Sequence, residues 1–274
     1  MAPSKDRQRA LARAKLERQM AKRAATARRR RQIQAAVAGT VALVLVVLGA
    51  FWLVSEVGGD GSGKAAKAEP TPTPGACKFT DQPKKAKADE REDVGKPKVG
   101  DVVRKGVRVL TMNTNLGKIV INLDAEKAPC NTASLAYLAS KKFFDDSQCH
   151  RLTDQGLFVL QCGDPSATGR GGPTYQVNDE NLPTDQRPPY PQGTVAMANS
   201  GPGTNGSQFF LVYEDTQLDP AYTIVGEIVE GLDIVKEVAK AGAEVPKGGQ
   251  PGDGKPKKEV TLETVTVSEP QPAS

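Results

Sequence analysis

The stretch GTVAMANSGPGTNGSQFFLVY, residues 193–213, constrains the fold more than any other part of the chain. Two apolar runs, 194–198 and 208–213, flank residues 199–207, where Gly, Asn, Ser, Thr and Pro fill every position. This reads as strand, irregular loop, strand, with both strands short of charge and therefore buried. A loop of such small residues leaves backbone amides and carbonyls free for something other than a sheet. The wall of a groove that binds an extended chain needs such groups.

The surrounding sequence supplies more strands. VRVLTMNTN, a turn at Asn115-Leu116-Gly117 and KIVINLD read as a β-hairpin rich in Val and Ile. Pro129 stands where a helix would start, and Leu135, Leu138 and Ala139 give it an apolar face. CHRLT and GLFVLQ, residues 149–153 and 156–161, read as a second strand pair, and 163–192 as loop. Residues 222–229 read as strand, 231–239 as a short helix and 259–267 as an alternating strand. About eight strands and two short helices over roughly 160 residues predict a mainly β domain, 107–268: a closed eight-stranded antiparallel barrel with two capping helices. Residues 269–274 are left as a tail.

The N-terminal part has a different character. Residues 1–31 carry twelve Lys and Arg against two acids, while the whole chain is only +5, so the rest is net acidic. From Ile33 to Val57 the chain is apolar with one charge, Glu56. At ~1.5 Å per residue that run crosses a ~30 Å hydrocarbon layer, with Phe51 and Trp52 near one interface. The basic region is too long for an ordinary signal peptide, and the nearest small-x-small site, Ala66-Lys67-Ala68, lies well beyond the run, so an uncleaved anchor is the expectation. Residues 1–32 are then a basic cytoplasmic segment and 33–57 a transmembrane helix. The domain beyond is extracytoplasmic, in a single-pass protein of the cell membrane. The basic cluster reads as an orientation signal in contact with anionic headgroups, and no nucleic acid is expected as partner. Residues 58–106, rich in Gly, Pro and mixed charge, are expected to be a disordered linker, in which Cys77 and Phe79 suggest a point tied down.

No GxSxG elbow, Walker loop, HExxH or strand-helix GxGxxG is present. Gly201, Gly203 and Gly206 match the last spacing, but strand follows them and no helix N-terminus is available for phosphate. One histidine and four cysteines without CxxC pairing argue against a metal site. No cofactor is expected. Polar and aromatic residues cluster instead at His150-Arg151, at Phe158, Val159 and Gln161, and at Ala198-Asn199 with Gln208 and Phe210.

FFDDSQCHRLTDQGLFVLQCGD and MANSGPGTNGSQFFLVY resemble the two signature blocks of the cyclophilin peptidyl-prolyl cis-trans isomerases, over about residues 107–267. The resemblance implies an isomerase of X-Pro bonds, a rotamase and folding helper for exported polypeptides. It implies Arg151 as the catalytic residue at the prolyl bond. Phe158, Val159, Phe210, Leu218 and Tyr222 match the proline pocket, and Gln161, Ala198, Asn199 and Gln208 match the positions that hold the flanking backbone. Such a barrel has eight antiparallel strands and two capping helices. The other class of function, a tethered module that binds proline peptides without catalysis, stays open beside it.

This chain departs from the family pattern: Val159 stands where Met is common, Gln217 where an aromatic precedes the residue matched by Leu218, the loop there is one residue shorter, and the turn between Arg151 and Phe158 is one residue longer. Cyclosporin binding is therefore expected to be weak. Cys149 and Cys162 flank the second strand pair at similar distances and are compatible with a cross-strand bridge, which leaves Cys77 with Cys130. The two other pairings and free thiols stay open.

Overall fold

The computed structural model describes residues 76–84 and 90–272. Strands β1 (Phe79–Asp81) and β2 (Arg91–Glu92) precede the hairpin β3 (Val107–Thr114) and β4 (Gly117–Asp124). Helix α1 (Pro129–Ser140) leads to β5 (Ser147–Gln148), β6 (Arg151–Asp154) and β7 (Phe158–Cys162). Then come β8 (Gly172–Pro173), β9 (Tyr175–Val177), β10 (Thr194–Met197), β11 (Phe209–Val212) and β12 (Ile224–Glu230). Helix α2 (Leu232–Ala241), β13 (Ala243–Glu244), β14 (Asp253–Pro256) and β15 (Thr261–Val267) complete the order.

The β3–β4 hairpin forms as its Val- and Ile-rich runs and the turn between them predict. Ile119, Ile121 and Leu123 point inward and are essentially unexposed, while Gly117 takes φ +128° at the turn. The Thr114 hydroxyl accepts the Leu116 amide at 3.1 Å and donates to the Gly117 carbonyl at 2.6 Å, closing the turn. Helix α1 starts on Pro129 as expected, but its N-cap, Ala128, has no side chain that can cap. The Glu180 carboxylate replaces it from another loop, accepting the amides of Cys130 and Asn131 at 3.0 Å each. An anion at a helix N-terminus is also favoured by the helix dipole.

Among the described residues, eleven strands run in the order β13-β14-β6-β7-β11-β10-β12-β4-β3-β15-β5, and two small sheets pair β1 with β9 and β2 with β8. This order has two ends, so the closed eight-stranded barrel expected from the sequence is not what forms. The reason lies at Cys149 and His150. They separate β5, at one margin, from β6, near the other, and their amides bond Val260 and Gln161 respectively, each at 3.0 Å. The polypeptide itself crosses where a continuous ladder would have run, and a crossing of two residues requires the sheet to curl back on itself. The two expected helices are present. The curled sheet encloses a core that includes Leu110, Met112, Ile121, Leu160, Phe209 and Leu211, and each such side chain contributes ~1.5–3 kcal/mol by its burial.

The segment expected to be a disordered linker is structured where it is described. β1 pairs with β9, β2 pairs with β8, and a 3-10 turn follows at Val99–Asp101. Cys77 is bonded to Cys130 at 2.03 Å, and Phe79 packs edge-on against Tyr175 with ring centres 6.0 Å apart. Those two residues hold a polar segment that has little apolar surface of its own. The expected tail is also paired, since Val107 and Gln271 exchange both backbone hydrogen bonds at 2.8 Å. The basic segment 1–32, the span 33–57 and residues 58–75 lie outside the described residues. Among the described residues no helix is long and apolar enough to cross a membrane.

Candidate functional site

Register decides which side chains meet. Arg151 on β6 stands opposite Gln161 on β7, Gln161 opposite Phe210 on β11, Phe210 opposite Ala196 on β10, and Ala196 opposite Ile224 on β12. Directly paired residues share a face, so one row across five strands carries a guanidinium, an amide and an aromatic ring. The next row along adds Thr153, Val159 and Val212. Phe209 and Leu211, one position out of phase, point into the core instead.

The apolar part of this face is a cluster of Val159, Tyr190, Ala196, Phe210 and Val212, with Leu157, Ala198, Leu218 and Tyr222 packed on it. Tyr222 lies edge-on to Phe210 with ring centres 5.6 Å apart. Tyr190 meets both rings, at 6.0 Å and 6.3 Å. Its hydroxyl donates to the Tyr222 carbonyl at 3.1 Å and accepts the Tyr222 amide at 2.9 Å, and burial pushes its pKa up to about 12. The phenol is therefore a neutral clamp that fixes the loop carrying Leu218 and Tyr222.

Phe158 does not belong to this group. Period two turns it to the opposite face of β7 from Val159, where its ring packs 5.9 Å from Tyr213 and borders a separate cavity with Lys236 and Lys240. Leu157, which precedes the strand, takes the place beside the apolar cluster that was expected for Phe158.

The polar part is a chain of directed hydrogen bonds. Arg151 Nε and Nη2 donate to the two oxygens of Asp253, each at 2.7 Å, and Nη1 donates to Gln161 Oε1 at 3.3 Å. Gln161 Nε2 donates to Gln208 Oε1 at 2.8 Å, and Gln208 Nε2 to the Gly171 carbonyl at 2.9 Å. The Asp253 carboxylate raises the pKa of Arg151, and the guanidinium lowers that of Asp253. Bidentate pairing fixes the guanidinium plane as well as its charge. A cavity of about 910 Å³ opens here, bordered by Arg151, His150, Gln161, Val245, Gln250 and Asp253.

His150, the chain's one histidine, stands beside Arg151. Burial pushes its pKa below the usual imidazole value, against the opposing pull of the Asp164 carboxylate, and its Nδ1 has no hydrogen-bond partner. It is neutral at pH 7 and well suited to lining a wall. Asp164 is fully buried and gathers a loop: it accepts the amides of Ser166 at 2.8 Å, Gly169 at 2.7 Å and Gly171 at 3.1 Å. That loop presents the Gly171 carbonyl to Gln208.

Ala198 lies at the join of the apolar and polar parts, its amide bonded to the Gln208 carbonyl at 2.9 Å. The side chain of Asn199 is engaged within the protein, donating to the Ala221 carbonyl at 2.9 Å and accepting the Gly201 amide at 3.1 Å. Buried Asn205 pins the same loop through Asp179 at 3.2 Å and Thr223 at 3.1 Å. Cys149 is bonded to Cys162 across the β6–β7 pair, at 1.97 Å.

Asp253, Tyr190, Leu157 and Asp164 are the site residues that sequence reasoning missed. Asp164 directly follows the first signature block's Cys162-Gly163, and Gly171 leaves no room for a Cβ beside it, so the Gly-rich run after Asp164 was the available signal. Among the described residues, Cys77, Cys130 and Glu180 are close enough to suggest metal ligation. The two thiols are bonded to each other and the carboxylate caps α1, so that group is structural.

The model of the cyclophilin type peptidyl-prolyl cis-trans isomerase family matches residues 109–267. The chain is 47% identical over 169 residues to the probable peptidyl-prolyl cis-trans isomerase B of Mycobacterium leprae, covering 57% of this chain and 56% of that one. To its counterpart in Mycobacterium tuberculosis it is 43% identical over 204 residues, covering 70% and 63%. The chain thus spans somewhat over half the length of these curated relatives. A cyclophilin type isomerase from Cryptosporidium parvum superposes with a TM-score of 0.51 at 24% identity, covering 60% of this chain and 99% of that one, which shows a shared fold.

Proposed function

The chain belongs to the cyclophilin type peptidyl-prolyl cis-trans isomerase family, and from that premise we propose that it accelerates rotation about X-Pro bonds, with Arg151 donating to the twisted amide. The observation that carries this reading is the row that sets Arg151, Gln161 and Phe210 side by side on one face.

Rotation about an X-Pro bond breaks amide resonance, a barrier of ~18–20 kcal/mol, and uncatalysed exchange takes ~10–100 s. In the twisted state the prolyl nitrogen recovers its lone pair and becomes an acceptor. Asp253 occupies the Nε and Nη2 edge of Arg151 and Gln161 takes one proton of Nη1, which leaves a pair of donors, one on each terminal nitrogen. Donation from that pair is strongest when the nitrogen is pyramidal, so it lowers the barrier more than it stabilises either planar isomer. Phe210, Val159, Leu218, Tyr222 and Leu157 hold the proline ring by apolar contact. Gln161, Gln208 and the backbone at Ala198 and Asn199 tether the flanking chain. No nucleophile and no cofactor take part.

Cis-trans exchange on an X-Pro peptide, measured for the full chain and for Arg151→Ala, tests this. We expect a loss of about 10²–10³ in kcat/KM, the scale of removing one donor to developing charge. Equal rates would leave only a peptide-binding module. Gln217, where the family has an aromatic, supports weak cyclosporin binding, and tight inhibition would contradict it.

The site is further proposed to work on exported polypeptides outside the cytoplasm, tethered by the apolar run at 33–57. Two disulfides and no free cysteine among the described residues support an oxidising compartment. Protease shaving of intact cells checks this: digestion of the domain is expected, and protection would refute it.

A further inference from the structure

The hairpin made of β13, β14 and residues 245–252 between them stands beside Arg151. Ala243 is opposite Pro256 and Glu244 opposite Lys255, while Asp253 and Gly254 pair beyond the hairpin, with Thr153 and Leu152 of β6. The two strands approach closely because position 254 has no Cβ, which would lie 2.1 Å from the Glu244 carbonyl oxygen. Every residue from Glu244 to Pro251 is exposed, so no buried side chain anchors the tip. Its backbone bonds are local: the Gly249 amide donates to the Pro246 carbonyl at 2.8 Å and the Asp253 amide to the Gln250 carbonyl at 3.1 Å. The Gly252 carbonyl accepts the Asp154 amide at 2.9 Å and ties the base to β6. A segment with exposed backbone bonds and no core contact opens at little cost in free energy.

The same hairpin forms one wall of the cavity of about 910 Å³ at Arg151. Val245, Pro246 and Gln250 line it from the hairpin, and His150, Gln161 and Thr168 from the body of the domain. The Arg151–Asp253 pair joins the two sides. Val245 keeps 38% of its surface exposed and, with Pro246, gives the hairpin wall an apolar patch. Glu244, Lys247 and Lys255 carry both signs, and Lys255 is paired with Glu259 at 2.9 Å, so this wall selects no charge. The cavity is continuous with the proline site, because Gln161, which borders it, stands opposite Phe210 in the register row.

Resting on the isomerase reading, we propose that this hairpin couples the length of the substrate to catalysis. A peptide with its proline ring on Phe210 and its backbone at Gln161 extends into the cavity, where an apolar residue meets Val245 and Pro246. Its presence there closes the tip down and holds Asp253 on Arg151. Binding energy gathered far from the prolyl bond is thus used to orient the guanidinium, and a truncated peptide loses kcat as well as affinity. A bidentate carboxylate suits this role, since it fixes the plane of the guanidinium and not its charge alone.

The full chain is assayed on an X-Pro tetrapeptide and on peptides lengthened by one to four residues at either end, with Leu or Ser in the added positions. Both kcat and KM are measured for wild type, Val245→Ser and Asp253→Ala. Lengthening at one end is expected to raise kcat by about threefold to tenfold, more with Leu than with Ser, within the range of orientation effects. Val245→Ser should reduce the gain from Leu, and Asp253→Ala should abolish the gain at every length. Each gain is a ratio within one variant, so loss of folded protein cancels. A kcat blind to length, a gain confined to KM, or a gain that survives Asp253→Ala overturns the coupling. Hydrogen exchange at the Gly249 and Asp253 amides gives a second reading: a long peptide should protect them more than the tetrapeptide does, and equal protection overturns the proposal. If no peptide is isomerised, the isomerase reading fails instead, and amide protection still tests the hairpin.

Discussion

Arg151 and Asp253 meet edge to edge across β6 and β14, two nitrogens to two oxygens, each at 2.7 Å. They are 102 residues apart in sequence, and β14 exists in the sheet only through its pairing with β6, Gly254 opposite Leu152. Asp253 is therefore a positioning residue for the guanidinium. Asp253→Ala is expected to lower kcat by about tenfold with little change in KM, because orientation at the reacting bond is lost while the peptide contacts remain. Asp253→Glu should recover part of the rate; a change in KM alone would argue against the assignment.

Tyr190→Phe removes a hydroxyl that both donates to and accepts from the backbone of Tyr222. Each such bond is worth ~0.5–1.5 kcal/mol, so a destabilisation of about 1–3 kcal/mol is expected by denaturant titration. The freed loop carries Leu218 and Tyr222, so KM should rise as well. Unchanged KM would place the clamp outside substrate binding.

His150 gives the domain a readable pH dependence. Its folded pKa lies below the unfolded value of ~6.5, so the unfolded chain binds the extra proton first as pH falls. Stability is then highest above that value and declines as pH drops toward the depressed folded pKa. Since the chain has no other histidine, His150→Gln should flatten this part of the profile. Thermal midpoints between about pH 8 and 5 check it.

A methyl group at position 171 would lie 1.9 Å from Asp164 Oδ1 and 2.7 Å from the Ser166 hydroxyl. Gly171→Ala is expected to destabilise by roughly 1–3 kcal/mol, since a buried carboxylate with its bonds already made has nowhere to move. Loss of the Gly171 carbonyl's bond to Gln208 should also weaken peptide binding. A variant of wild-type stability would show that the loop is soft.

The Cys77–Cys130 bond closes a separation of 53 residues and holds the segment that carries β1 and β2 to α1. The double Ser variant should lose about 2–4 kcal/mol and expose residues 76–98 to protease, while exchange on an X-Pro peptide persists. Protection equal to wild type would mean that β1 and β2 pairing alone secure the segment.

Much of this site was legible in the sequence because a family resemblance names positions even where the strand pattern does not. Arg151, Val159, Gln161 and Phe210 sit in two blocks that resemble the family's signatures, and their rows follow once the pairing is known. Phe158 shows the weakness of carrying a role by position alone, since one step along a strand reverses the face. Asp253 was illegible for a different reason: its strand is four residues of Asp, Gly, Lys and Pro, with no apolar pattern, held by partners on β6 and β13. Tyr190 lay in a stretch read as loop, where Pro and Arg hide a fully buried ring. The closed barrel was the economical expectation for eight strands, and only the hydrogen bonds of Cys149 and His150 reveal the crossing that interrupts it.

β15, near the far end of the domain, lies between β3, near its beginning, and β5. Thr114 pairs with Leu262, so the sheet needs partners roughly 150 residues apart before its β3–β15 ladder exists. A chain delivered from its N-terminus therefore holds β3 and β4 with one edge bare until 261–267 arrive, and Arg151 has no Asp253 until nearly the same moment. The domain acquires its structure and its chemistry together, late in its own synthesis, and so must itself complete folding before it can assist any other chain.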